Sequence, residues 1–283
     1  MRFILTALLW LLTTALLAVA VPVGWAQQNL VRADGYAALA QRAAADRSLQ
    51  QAVAGELSSQ INALAGREDA TATPAVIRAV AGAYVRSPEF PGQFAQANRY
   101  AHRWMFTDAI RSDVDPQGRW VIDVAPMLSD AAFQETLSDL GVTVPSTLPI
   151  PLTEAAPNGL RPGVLRPAAV WGPWIAIAAA VLAAAGAIAT LWSARRFGRG
   201  LTALGVSGLL VGAAGWAGLE VGRGRLKDAL APMSTDIRAA ADAVVVTVQS
   251  SLHGWLNVTL AVGGGLVIVG VIVTLLSGLR RAS

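Results

Sequence analysis

The sequence predicts a mainly α protein: a four-helix integral membrane protein with a helix-rich α+β extracytoplasmic domain. Three observations carry that prediction. Hydrophobic residues fill 54% of the 283 positions and charged residues only 14%, whereas soluble domains carry about 25% charged residues. The mean hydropathy is +0.49. The apolar residues gather in four runs without Asp, Glu, Lys or Arg, namely Ile4–Trp25, Trp171–Ser193, Leu201–Leu219 and Leu256–Leu279. These runs are 19 to 24 residues long, and a helix needs about 20 to cross a bilayer.

Residues 1–26 form a short cytoplasmic N-terminus and the first transmembrane helix. Gly24-Trp25-Ala26 offers a small-x-small site, so a cleaved signal peptide is the competing reading. An apolar core of 22 residues exceeds the roughly 7–15 of such signals, which favours an uncleaved span. Residues 27–168 then form an extracytoplasmic domain that must be held by its own core, because the chain has no cysteine. Tyr36, Leu39, Ala40 and Ala43 recur at helical spacing. Asp46 reads as the N-cap of a second helix with Leu49, Val53, Leu57, Ile61 and Leu64 on one stripe and Gly66 as its stop. Thr73-Pro74 starts a third, with proline at the first helical position. Ser87-Pro88 ends it, and a fourth spans about 89–108 with Phe90, Phe94, Ala97, Ala101 and Met105 on its apolar face.

Trp120–Val124 alternates as a short strand. Ser129 caps a further helix that closes at Gly141, and the proline-rich "VTVPSTLPIPLT" is extended, placed to run beside the strand as an edge. Residues 169–194 are the second transmembrane helix, 195–200 a cytoplasmic loop, and 201–219 the third helix. Residues 220–255 are a second extracytoplasmic segment, broken at Pro232, whose stripe of Ile237, Ala241, Val244, Val248 and Leu252 calls for a partner surface. Residues 256–279 are the fourth transmembrane helix and 280–283 a cytoplasmic tail. Within the spans, Gly208/Gly212, Ala261/Gly265 and Ala180/Ala184 form small-xxx-small pairs that let helices approach closely.

Charge sets the orientation. Arg2, Arg195, Arg196, Arg199, Arg280 and Arg281 flank the spans on one side with no acid among them. On the other side, residues 27–168 hold 12 bases and 14 acids, and residues 220–255 hold four of each. By the positive-inside rule both termini are cytoplasmic, so the pI near 10.3 reflects topology and no nucleic-acid partner is expected. Trp25, Trp171, Trp174, Trp216 and Trp255 mark the outer ends of the spans and Trp192 an inner end, as expected of indoles anchored at the membrane interface. The localisation read from this is a multi-pass protein of the plasma membrane.

"GWAQQNLVRADGYAALAQRAAADRSLQQAVAGELSSQI", "SPEFPGQFAQANRYAHRW" and "GRWVIDVAPML" resemble, in order and content, a family of uncharacterised actinobacterial four-transmembrane-helix integral membrane proteins. Its members carry an extracytoplasmic domain between helices 1 and 2. The resemblance covers most of residues 25–154 and the four-helix layout. It departs at Ala65–Pro74, which is shorter than the family's stretch, and at Gln93-Phe94, where a tryptophan is common. It implies topology, and it implies no activity.

The chemical candidates are few. Asn98 and His102 lie four apart on one helix and can share a hydrogen bond or hold the following strand at Asp123. His102, Asp123 and Ser129 would be the members of a hydrolase triad, but no nucleophile-elbow glycines surround Ser129. A metal site would need His102 to meet His253, and two histidines without cysteine make a poor ligand set. Asp113 and Asp115 begin a calcium-loop pattern that is not continued. No catalytic residue, metal or cofactor is therefore assigned. Asn98, His102 and Asp123 are read as structural or partner-contact residues. The expected function is a non-enzymatic cell-envelope protein whose partners are the lipid bilayer and another envelope or membrane protein. A membrane-tethered hydrolase or transferase using His102 with a nearby carboxylate is the alternative.

Overall fold

A computed structural model describes residues 2–65, 73–107, 121–123, 134–135, 138–139, 149–151, 163–194, 197–230 and 235–279. In chain order these form α1 (Arg2–Ala26), a π-helical turn (Gln27–Val31), α2 (Ala33–Ala43), α3 (Arg47–Ala65), α4 (Pro74–Tyr84) and α5 (Phe90–Phe106). Strands β1 (Val121–Asp123) and β2 (Pro149–Pro151) follow, then α6 (Arg166–Ser193), α7 (Phe197–Leu230) and α8 (Thr235–Leu279). The chain divides into two compact units: residues 1–28, 170–225 and 249–283, and residues 29–169 with 226–248.

The first unit contains most of the four segments long and apolar enough to cross a membrane, Ile4–Val31, Arg166–Ser193, Phe197–Leu226 and Arg238–Ser277. Glycines let α7 and α8 meet closely. A Cβ built on Gly205 would lie 2.6 Å from the Gly263 carbonyl, and one built on Gly208 would lie 3.0 Å from Gly263 Cα. Such contact lets backbones gain dispersion energy where lipid offers no hydrophobic drive. Polar side chains tie α1 to α7: Trp10 Nε1 donates to the Ala203 carbonyl at 2.8 Å, and the Thr14 and Ser207 hydroxyls pair at 2.7 Å.

Two expected small-residue pairs are corrected here. Gly265 faces open space while Gly263 makes the contact. On α6 the buried stripe is Gly172, Ala179, Ala183 and Thr190, with Ala180 and Ala184 exposed. The Gly208/Gly212 pair does face α8, Gly212 against Leu260.

The second unit is built by helices around one core, with Leu49, Ile61, Ile77, Val85 and Phe90 fully buried. Its elements begin where the sequence places them. Asp46 Oδ1 accepts from the Ser48 and Leu49 backbone N–H groups at 2.8 and 3.3 Å, and also from the Ser48 hydroxyl. These bonds, the Ser48 hydroxyl first, hold its carboxyl below the ordinary range. Thr73 Oγ1 accepts from Val76 N at 3.5 Å, with Pro74 at the first helical position. Ala243 of α8 is buried in this same core, and Ala240 and Val244 pack against it; of the expected stripe only Val244 joins the core, and Ala241, Val248 and Leu252 are half-buried.

The α+β description of this domain is corrected: the structure is mainly helical, and among the described residues its core is supplied by helices and their caps. Among the described residues, strand pairing is limited to β1 antiparallel to β2, three residues each, with Ile122 opposite Ile150. Pro149 and Pro151 carry no N–H, so β2 can offer that ribbon only the Ile150 donor. The expected helix from Ser129 to Gly141 falls largely outside the described residues.

Candidate functional site

Helix α5 carries the polar cluster "NRYAH". Its buried residues are Phe90, Ala95, His102, Trp104 and Phe106, so His102 lies within the covered face. The sequence expectation of Phe90, Phe94, Ala97, Ala101 and Met105 is corrected accordingly: Ala97, Ala101 and Met105 are only half-buried. The two large aromatics near the C-terminal end, Trp104 and Phe106, rotate the buried face toward His102.

His102 is 5% exposed. Its ring stacks on Phe106, with centroids 4.3 Å apart and planes 18° from parallel, and Tyr36 of α2 tilts against it at 5.3 Å. His102 Nε2 lies 2.9 Å from the Val31 carbonyl and 3.1 Å from the Leu30 carbonyl. A carbonyl only accepts, so Nε2 carries the proton and donates to both. Leu30 and Val31 end the π-helical turn that follows α1, and the last carbonyls of a helical run have no helical N–H to receive. His102 caps that end. Burial pushes its pKa below the ordinary imidazole range, against the opposing pull of the Val31 and Leu30 carbonyls. The same burial raises the pKa of Tyr36.

The remaining candidates distribute differently from expectation. Asn98 Nδ2 donates to the Phe94 carbonyl of its own helix at 2.9 Å, so the His102 ring is held by the turn after α1 and not through Asn98. Arg99 pairs with Asp34 of α2 at 3.2 Å, both side chains exposed, an ion pair of small energetic weight. Asp123 lies on β1, and its side chain is outside the described set, as are Ser129, Asp113 and Asp115. Among the described residues no group of three His, Asp or Glu side chains is arranged to hold a metal. His253 stacks on Trp216 at 3.7 Å, and Trp216 Nε1 donates to Asn257 Oδ1 at 3.3 Å.

Of the tryptophans, Trp171, Trp174, Trp216 and Trp255 are exposed. Trp25 is corrected to an interior residue: it is 4% exposed and donates from Nε1 to Ser251 Oγ at 3.2 Å. Arg199 is exposed on the first turn of α7, whereas Arg195, Arg196, Arg280 and Arg281 lie outside the described residues. Sequence reasoning missed the partners of His102, because backbone carbonyls leave no mark in a sequence. Phe106, four residues after His102 on the same helix, was a signal the sequence did offer for its stacking partner. Comparison with protein families, with curated proteins and with solved structures finds no match for this chain.

Proposed function

We propose that the chain is a non-enzymatic membrane-anchored protein of the cell envelope, whose four spans present a helical extracytoplasmic domain to a protein, lipid or wall component. The observation that carries this reading is the state of His102, the residue most suited to chemistry in the polar cluster. Its Nε2 is committed to two carbonyls and its faces are covered by Phe106 and Tyr36. A general base must reach a substrate proton; with Nε2 donating, the lone pair lies on Nδ1, and the whole residue is only 5% exposed. The uncompensated arginines at one set of helix ends support an orientation with both termini in the cytoplasm. Membership of the actinobacterial family rests on the quoted motifs and is part of the same proposal.

The test separates folding from chemistry at one position. An unsatisfied buried carbonyl costs about 1–3 kcal/mol, so His102→Ala is expected to lower thermal stability and membrane abundance together. His102→Gln keeps a donor and should be milder in both. In cells lacking the native protein, function should track the amount of each variant. A His102→Gln protein present at full level but without function overturns the reading and revives the enzyme.

A further inference from the structure

The first turns of α7 and the last turns of α8 enclose a furrow that the proposed function does not use. The helices touch at Gly198 and Gly270: a Cβ built on Gly198 would lie 2.6 Å from the Gly270 carbonyl. Beside this crossing, Thr202 and Ala203 on α7 and Val271, Thr274 and Leu275 on α8 line a cavity of about 380 Å³. That volume falls within the range of roughly 300–1,000 Å³ typical of ligand sites.

The chemistry of the lining is one-sided. Both hydroxyls are already committed, Thr202 to the Gly198 carbonyl at 3.0 Å and Thr274 to the Gly270 carbonyl at 2.8 Å. The rest of the wall is methyl and methylene, except for Arg199 at its edge. Among the described residues Arg199 has no acidic partner, and residues 195–203 and 271–283 contain no Asp or Glu at all. A guanidinium that lines an apolar furrow and has no acidic partner among the described residues is complementary to an amphiphile with an anionic head. In a span surrounded by lipid, the molecule that meets this description is at hand. Arginine matches phosphate oxygens with a planar fork of donors, and basic pockets between transmembrane helices on the cytoplasmic side hold anionic headgroups.

We propose that this furrow holds an acyl chain of an anionic glycerophospholipid, whose phosphate is bound by the Arg199 guanidinium. The proposal is independent of the role of His102.

The experiment uses the full-length protein purified in detergent and native mass spectrometry against phosphatidylglycerol and phosphatidylcholine. Wild type is expected to retain phosphatidylglycerol over phosphatidylcholine. Arg199→Gln should reduce that preference about tenfold, the loss expected for one charge-assisted contact. Val271→Trp fills the furrow and should abolish retention with Arg199 in place. Arg199 and Val271 are exposed, and thermal unfolding checks that both variants fold. Leu275→Trp, also on an exposed residue, replaces Val271→Trp if that variant does not. Equal retention of the two lipids by wild type overturns the proposal, as does unchanged retention in the furrow-filling variant. Displacement of the lipid by millimolar inorganic phosphate would assign Arg199 to a free anion and overturn it equally.

Discussion

His102 resists protonation because desolvation of the charged ring outweighs the attraction of the two carbonyls it meets. The unfolded chain, with an imidazole near pKa 6.5, therefore binds a proton before the folded one does. The stability this group contributes is complete above that value and is lost as pH falls from about 6.5 toward the lowered folded pKa. Thermal unfolding of the full-length protein is expected to be flat from about pH 8 to 7 and to decline below about 6.5. His102→Gln should remove the decline in that window. Asp46 does not interfere, since its lowered pKa places its own loss of stability further into acid. An unchanged pH profile in His102→Gln would assign the decline to other groups. A second residue-scale constraint sits at Gly163, whose φ of 69° lies in the left-handed region. Its N–H donates to the Trp104 carbonyl at 3.0 Å, and Leu165 N donates to Met105 O at 3.0 Å, closing the end of α5. Gly163→Ala should cost about 1–2 kcal/mol, read as a lowered Tm; a Tm equal to wild type would mean the turn re-forms with negative φ.

At the scale of elements, the α7–α8 crossing offers a paired test. Gly205 has no room for a methyl group, its Cβ position lying 2.6 Å from the backbone at Gly263 and Val267, whereas Gly265 faces open space. Gly205→Ala is expected to lower stability in detergent by about 1–3 kcal/mol, the usual cost of overpacking, while Gly265→Ala stays at the wild-type value. The opposite ranking would place the contact face where the sequence motif put it. That motif failed for a physical reason. In runs such as Gly263–Gly265 and Ala178–Ala180, successive residues are chemically equal, and nothing marks which one faces a neighbour. Where the residues differ, the sequence was informative. The caps at Asp46 and Thr73 and the stripe Leu49–Leu57–Ile61 stand where capping chemistry and apolar period put them. The buried face of α5 was misjudged by rotation: Ala97, Ala101 and Met105 were expected on it, whereas the His102 ring packs inside as an aromatic. The strand pattern at Val121–Asp123 was legible, and among the described residues it pairs only with Pro149–Pro151.

At the scale of the whole molecule, the direction of four long apolar helices is a prediction that charge makes. The six flanking arginines have no compensating acid, while the two intervening segments are nearly balanced. Moving the arginine-bearing ends across the bilayer opposes the bias that fixes orientation during insertion. The spans themselves contain no ionisable residue in their apolar runs, which leaves no internal charge to compete with the flanks. Both termini and the 195–200 loop are therefore expected in the cytoplasm, with residues 27–168 and 220–255 outside. The absence of cysteine makes this directly measurable with single cysteines and a membrane-impermeant thiol reagent on intact cells. Asn158→Cys should be labelled at once, and Ser283→Cys only after the membrane is opened. The reverse pattern would place the arginines outside. It would overturn the orientation, and it would also move the Arg199 furrow to the outer leaflet, away from the anionic surface that attracts basic groups on the cytoplasmic side.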